Sequence, residues 1–277
     1  MIKKGPSIFD FFNYRDYLGA YFAHRKEMNR HFSHRTFAQK AGYTSSGLYL
    51  LLVSGRQNLT PALISKFSKA MELNERETVY LKKMVDFTHA KTSEAKQEIF
   101  EQLIAILPRR VKSIVKEQRD YYLDWYNIAV REALDILDIS DDYSSLAHFL
   151  DPAIKASEAK TSIKLLASLG MIQLDKKGYW RATDASLVST PELGAVIVHP
   201  FQKTMMDMGK AGLEKFPPTV RNISCSTFSI SELGLEGIRL KIDDFLKDIA
   251  EWVRLDENSN QVYQCNVQFF PLSKKKT

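Results

Sequence analysis

Hydroxyl and basic side chains are interspersed among helix-forming segments between residues 33 and 69. Three consecutive hydroxyl residues follow a glycine and precede an apolar stretch; they are Thr44, Ser45 and Ser46. Residues of this kind often begin a helix, where free backbone N–H groups and the helix dipole attract phosphate. Three basic residues that can contact a nucleic-acid backbone flank them: Arg35, Lys40 and Arg56. The pattern favours binding of a polyanion.

The positive charge of the chain is concentrated in its first half. Of 39 basic and 33 acidic residues in 277, residues 1–118 hold 20 and 11, so this part carries +9 and the remainder −3. Such an asymmetry is typical of a polyanion-binding half joined to a half with another role. Basic helices that are simply well solvated give the same pattern, and charge alone leaves both interpretations open.

Residues 7–90 show the periodicity and the end signals of five short helices. An aromatic-rich helix comes first, and a second helix runs from Ser33 to Ala41, where Gly42 ends it. The third helix is expected to be capped by Thr44 or Ser45. Thr60-Pro61 then begins the fourth helix and Asn74 caps the fifth. We therefore predict an all-helical N-terminal domain over residues 1–90.

This stretch resembles the Xre/λ-repressor-like helix-turn-helix family. The resemblance rests on the five-helix layout and on four positions: Ala38, Gly42, Leu48 and Gly55. It implies that the recognition helix or its start holds Thr44, Ser45, Ser46 and Tyr49. It also implies that the next loop contacts phosphates through Arg56, Gln57 and Asn58. The three leucines at 50–52 depart from the family, which often has polar residues there, so few base contacts are expected.

A wider resemblance extends over nearly the whole chain. It is carried by residues 8–18, the loop at 55–59, the aromatic cluster at 122–126 and the closing segment at 262–272. Together they resemble a family of predicted bacterial transcriptional regulators that fuse an N-terminal helix-turn-helix to a C-terminal domain of unknown function. The resemblance implies DNA binding and gene regulation.

The central part of the chain is predicted to contain a linker and a winged-helix-like segment. The linker, residues 91–118, is predicted to be helical, with a helix that Pro108 stops; weak alternation at 109–116 leaves a short extended piece open as an alternative. A helix over 118–138 opens the segment 119–189. Two more helices and two short strands follow, joined by a tight turn, which is the order of a winged helix. Contacts of the turn with DNA would come from Lys176 and Lys177.

The last part, residues 190–277, is expected to be an α+β region that dimerises or senses a partner. Helices are predicted over 193–216 and 231–253, and strands over 222–229 and 261–270. Cys225 and Cys265 lie on the two predicted strands, where small buried apolar residues are the default in a reducing compartment. The whole chain is thus predicted to be mainly α with a smaller α+β part.

Several classes of protein are excluded or disfavoured. No apolar stretch approaches the roughly 20 residues of a membrane span, and residues 1–6 lack the apolar run of a secretory signal. Enzyme motifs and zinc-ligand spacings are not found, so we expect no catalysis, no metal and no cofactor. A cytoplasmic location follows.

The function expected from these features is a homodimeric transcriptional regulator that binds double-stranded DNA through its N-terminal helix-turn-helix. A protein-interaction adaptor is the first alternative, because Tyr49 and Leu50 would form an apolar patch on a degenerate helix. A regulator gated by an effector of unknown identity is the second alternative. No residue pattern names that effector, the operator or the direction of regulation.

Overall fold

The computed structural model describes residues 5–185 and 191–276. Twelve α-helices and one two-stranded antiparallel sheet lie in these ranges, which confirms the mainly helical fold class. The described residues form two compact units. The first comprises residues up to Arg119 together with 191–199, and the second comprises 120–185 and 200–276. Within these ranges no helix has the length and apolar character needed to cross a bilayer.

Five helices of the first unit follow a short 3-10 helix, Ile8–Asp10. They are α1 Tyr14–Met28, α2 His34–Ala41, α3 Leu48–Val53, α4 Pro61–Ala70 and α5 Glu75–His89. The predicted end signals of α2, α4 and α5 are confirmed. The Ser33 hydroxyl accepts a hydrogen bond from the Thr36 N–H (3.2 Å), and Gly42 ends α2 with φ +69°. Thr60 caps α4, and Asn74 forms a capping box with Glu77.

The start of α3 was predicted incorrectly. This helix begins at Leu48 after Gly47, so neither Thr44 nor Ser45 caps it. The six residues of α3 are all apolar, and its first turn is fixed instead by a backbone bond from the Leu48 N–H to the Ser45 carbonyl (3.2 Å). The hydroxyl residues consequently lie in the turn that precedes the helix.

Aromatic side chains fill the core between α1, α2, α3 and α4. The Phe37 ring is fully buried, with the Tyr49 ring centroid at 4.9 Å and that of Phe67 at 5.0 Å, both edge-on. Edge-to-face pairs of this kind add to the stabilisation that burial alone provides. The Tyr80 hydroxyl donates to the Phe11 carbonyl (2.9 Å) and joins α5 to the N-terminal segment. The contact of Phe37 on α2 with Tyr49 on α3 holds these two helices in a fixed relation.

The linker is helical apart from residues 91–92 and 107–108. After α6, Ser93–Ile106, helix α7 spans Arg109–Leu123, so residues 109–116 are helical and the extended alternative is not found there. Val111, Ile114 and Val115 are spaced at three and four residues, which is helical periodicity, and Val115 is buried. The Lys112 N–H donates to the Pro108 carbonyl (2.9 Å) in the first turn of α7.

The single helix predicted over 118–138 is in fact two helices. Helix α7 ends at Leu123 and α8 spans Tyr126–Ala133. The Asn127 side chain is buried and donates to the carbonyls of Asp120 (3.0 Å) and Tyr121 (3.3 Å). These carbonyls lie in the last turn of α7, where no further helical N–H reaches them, so Asn127 stabilises the break.

The predicted order of helices and strands in the winged-helix-like segment is confirmed. Helices α9, Tyr143–Phe149, and α10, Ala156–Ser168, pack with α8, and strands β1, Ile172–Leu174, and β2, Trp180–Ala182, pair antiparallel. The backbone N–H of Trp180 also donates to the carbonyl of Ile139 (2.8 Å), and Ile139 lies between α8 and α9. The hairpin is therefore anchored to the helices.

The C-terminal part contains two long helices, α11 Pro191–Lys215 and α12 Glu232–Leu255. The strands predicted over 222–229 and 261–270 are wrong, because neither range has regular secondary structure. A strand requires a partner for its backbone groups, and alternation of apolar residues does not supply one. Cys225 and Cys265 are correspondingly exposed free thiols rather than buried residues.

Candidate nucleic-acid interface

The turn between α2 and α3, residues 43–47, presents its hydroxyl side chains to solvent. All three are exposed: Thr44, Ser45 and Ser46. Lys66 on α4 donates from its Nζ to the Gly42 carbonyl (2.8 Å), which fixes the start of the turn. The hydroxyl groups are thus available to a ligand while their backbone is held by neighbouring elements.

The basic residues expected near this turn are also exposed. Arg35, Lys40 and Arg56 all project from the surface of the first unit. The Lys40 ammonium lies 2.6 Å from a Glu72 carboxylate oxygen, and this contact lowers the pKa of Glu72 through a hydrogen bond and the lysine charge. Since both side chains are solvent-exposed, the pair adds little stability and Lys40 can exchange Glu72 for a phosphate.

The loop after α3, residues 54–58, is fixed by a side chain that sequence analysis missed. Arg15 on α1 donates from Nη1 to the Gln57 carbonyl (3.0 Å) and to the Leu52 carbonyl, and from Nη2 to Oδ1 of Asn58 (2.8 Å). Arg56, Gln57 and Asn58 are all exposed, and the contact with Arg15 gives the Asn58 side chain a part in holding the loop. The only sequence signal was an arginine beside buried tyrosines on an aromatic helix.

Tyr49 is not available for DNA contact, which corrects its assignment. Its side chain is 1% exposed and its hydroxyl donates to the Leu18 carbonyl (2.7 Å). Burial raises the pKa of this phenol, with further contributions from neighbouring tyrosines. A helix of six apolar residues must direct its largest side chains into the core. Leu50 is the residue of α3 that remains strongly exposed, at 55%.

His34 at the start of α2 belongs to the aromatic cluster. Its ring stacks on Phe22 with centroids 3.9 Å apart and an interplanar angle of 16°. Burial, and to a smaller extent the charge of Lys26, lowers the pKa of His34 below 6.5. Around neutral pH the ring is therefore uncharged and does not attract phosphate electrostatically. The arginine and lysine side chains would provide that attraction.

The hairpin turn of the winged-helix-like segment exposes two further basic residues. Lys176 and Lys177 are both solvent-exposed between β1 and β2. The turn has defined geometry because Oδ1 of Asp175 accepts hydrogen bonds from the backbone N–H groups of Lys177 (2.8 Å) and Tyr179 (2.9 Å). Gly178 adopts φ +83°, which favours glycine. The turn thus presents two ammonium groups on a rigid support.

Comparison with known proteins gives one family match. The model of a domain of unknown function, DUF4423, matches residues 109–272, which is more than half of the chain. The chain belongs to the DUF4423 family. No curated protein and no solved structure matches it.

The DUF4423 match separates the two candidate surfaces. Helix α8, the hairpin with Lys176 and Lys177, and α12 all fall within the DUF4423 region. The hydroxyl turn and the 54–58 loop precede it. A C-terminal domain of unknown function, which the sequence resemblance implied, is confirmed by the DUF4423 match.

Proposed function

We propose that this protein is a cytoplasmic transcriptional regulator that binds double-stranded DNA as a homodimer through α2, the hydroxyl turn and α3. The observation that carries the proposal is the exposure of the hydroxyl turn and of Arg56 at opposite ends of α3. An α-helix with its side chains is about 10–12 Å in diameter, which fits the major groove of DNA, about 12 Å wide. Helix α3 could therefore lie in one groove with the hydroxyl turn at one end and Arg56 near the other.

Phosphate contacts would supply most of the binding free energy. Arg35, Lys40, Arg56 and Gln57 are exposed around α3, and the residues up to 118 carry an excess of nine positive charges. Base contacts would be few, because Tyr49 is buried and Leu50 has no hydrogen-bonding group. Ser45 and Ser46 can hydrogen-bond base edges, and Leu50 can contact a thymine methyl group. Strong salt dependence and modest sequence discrimination are the expected signature.

A homodimer would place two such units on half-sites about 34 Å apart, or on a multiple of that spacing. Exposed Lys176 and Lys177 would add contacts to the DNA backbone from the hairpin of each subunit. Replacing both with alanine should weaken binding to every DNA sequence by a similar factor.

The test is a DNA titration of the full chain by fluorescence anisotropy at two salt concentrations, with fragments of genomic DNA. Arg56→Ala should weaken binding to all sequences and reduce the slope of log K against log salt by about one. Lys82→Ala, which removes an exposed positive charge from α5, serves as the matched control and should change neither quantity appreciably. Equal effects of the two substitutions would contradict a specific role for the 54–58 loop.

A protein-interaction adaptor is the second candidate, favoured by the 55% exposure of Leu50. An apolar side chain on the helix that would enter the groove suits a protein partner as well as a thymine methyl group. Under this alternative the wild-type chain would show no DNA affinity at low salt, where the electrostatic contribution is greatest.

A further inference from the structure

Apolar residues recur along α12 at alternating spacings of three and four. The α12 apolar row consists of Leu235, Ile238, Ile242, Phe245, Ile249 and Trp252. This spacing averages 3.5 residues, the heptad period at which two helices pack side by side. Nevertheless, no residue of α12 is buried. The helix thus has the pattern of a packed helix, but its apolar row is not fully covered within one chain.

The surrounding chain covers the α12 apolar row only in part: Leu235, Ile238, Ile242 and Ile249 are half-buried, while Phe245 and Trp252 are exposed. From Leu213 to Lys276 no residue is buried. Of the 24 large apolar side chains exposed in the described residues, 15 lie between Val220 and Leu272. Single soluble chains rarely expose apolar surface on this scale unless a partner covers it. A long helix also gains most of its stability from burial of its apolar face.

The uncovered part of the row lies toward the end of α12. Ile242 is half-buried and lies beside Val267 and Phe269 of the closing segment. In contrast, Phe245 is 51% exposed and Trp252 is 79% exposed. These two aromatic side chains are therefore the anchors available to another molecule. Aromatic residues of this size bury about 150–250 Å² each and dominate interface energetics.

The charges of α12 favour a second copy of this chain over a polyanionic partner. The helix carries six acidic residues, Glu232, Glu236, Asp243, Asp244, Asp248 and Glu251, and four basic residues, Arg239, Lys241, Lys247 and Arg254. This excess of negative charge repels nucleic acid and anionic lipid surfaces. Because acidic and basic residues are interspersed along the helix, two copies related by a twofold axis can place opposite charges face to face.

We propose that α12 forms the dimer interface of this protein by packing its apolar row against α12 of a second copy. A 24-residue helix is about 36 Å long, and a stable interface requires about 800 Å² from each partner. Phe245 and Trp252, at up to about 150–250 Å² each, would supply up to about half of that area, and the rest of the row would supply the remainder. The inference rests on the proposed function, in which two helix-turn-helix units bind one operator, but it concerns a separate surface.

The test measures the mass of the full chain by sedimentation velocity over a micromolar concentration series, without DNA. Wild-type protein should be a dimer. Combining Phe245→Asp with Trp252→Asp should raise the dimer dissociation constant by at least ~100-fold, while helix content by circular dichroism stays unchanged because both side chains are exposed. The matched control combines Val79→Asp with Ile114→Asp, two exposed apolar residues on α5 and α7, and should remain dimeric.

A wild-type monomer, or a dimer that survives the α12 double substitution, would overturn the α12 interface. DNA binding is measured separately on the same samples. A wild-type monomer that still binds DNA overturns the α12 interface and the dimeric form of the regulator, but leaves DNA binding by the helix-turn-helix in place. A dimer that dissociates on α12 substitution yet binds no DNA supports the interface and contradicts the proposed function.

Discussion

Arg15 on α1 and Asn58 in the loop after α3 are joined by a hydrogen bond of 2.8 Å between Nη2 and Oδ1, although 43 positions separate them in sequence. The same guanidinium donates to the carbonyls of Leu52 and Gln57. One side chain therefore fixes the end of α3 and the loop that presents Arg56. The relationship assigns Arg15 a positioning role in the proposed interface.

Arg15→Lys should weaken DNA binding while leaving the salt dependence unchanged. Lysine keeps the positive charge but cannot donate in the planar fork geometry that the three acceptors require. The loss of two or three hydrogen bonds should cost about 1–3 kcal/mol, shared between stability and loop order. Anisotropy titrations at several salt concentrations, together with urea unfolding, measure both effects. A reduced salt slope would instead indicate that Arg15 contacts a phosphate directly.

The ends of α2 and the starts of α4 and α5 could be predicted from sequence because they depend on residues a few positions apart. Ser33 and Thr36, and Asn74 and Glu77, interact across one helical turn, and Gly42 needs only its own conformational freedom. Thr44, Ser45 and Ser46 are exposed, whereas Tyr49, which was expected at the same surface, is buried. The orientation of Tyr49 depends on Phe37 and Phe67, which belong to other helices.

Features that depend on distant partners could not be predicted. The contact between Arg15 and Asn58 joins residues 43 positions apart and does not affect the local spacing of apolar residues from which helices are predicted. Residues 222–229 and 261–270 alternate in polarity, yet alternation specifies only which side chains share a face and not whether another strand is present. The break between α7 and α8 depends on the burial of Asn127, which sequence alone does not reveal.

Ser46→Ala should change the preference of the protein among DNA sequences more than its overall affinity. The Ser46 hydroxyl is exposed in the turn before α3 and can exchange hydrogen bonds with base edges. Loss of a base contact should reduce discrimination at one position of the site by about 1–3 kcal/mol. Binding of a randomised DNA library, followed by sequencing, measures the preference. Ser113→Ala on α7 is the control, and an equal loss on every sequence would rule out a base contact by Ser46.

Tyr49→Phe should lower the free energy of unfolding by about 0.5–1.5 kcal/mol without changing the DNA affinity of folded protein. The substitution removes the hydrogen bond from the buried Tyr49 hydroxyl to the Leu18 carbonyl, and the ring packing is retained. Urea unfolding measures the first quantity and a DNA titration well below the unfolding transition measures the second. If the variant were as stable as wild type but bound DNA more weakly, the Tyr49 hydroxyl would have to contact DNA, and its structural role would be contradicted.

His34→Phe should make the protein less sensitive to mild acid. The pKa of folded His34 lies below 6.5 because of burial, so the unfolded chain takes up a proton more readily than the folded chain as pH falls. Stability contributed by neutral His34 is therefore complete above about pH 6.5 and decreases as pH falls below it. Phenylalanine keeps the stack on Phe22 and has no charge to gain. Urea unfolding at about pH 8 and about pH 5 should show a smaller loss for the variant than for wild type. Parallel losses in the two proteins would show that carboxylates or His89, whose pKa burial also lowers, account for the acid sensitivity.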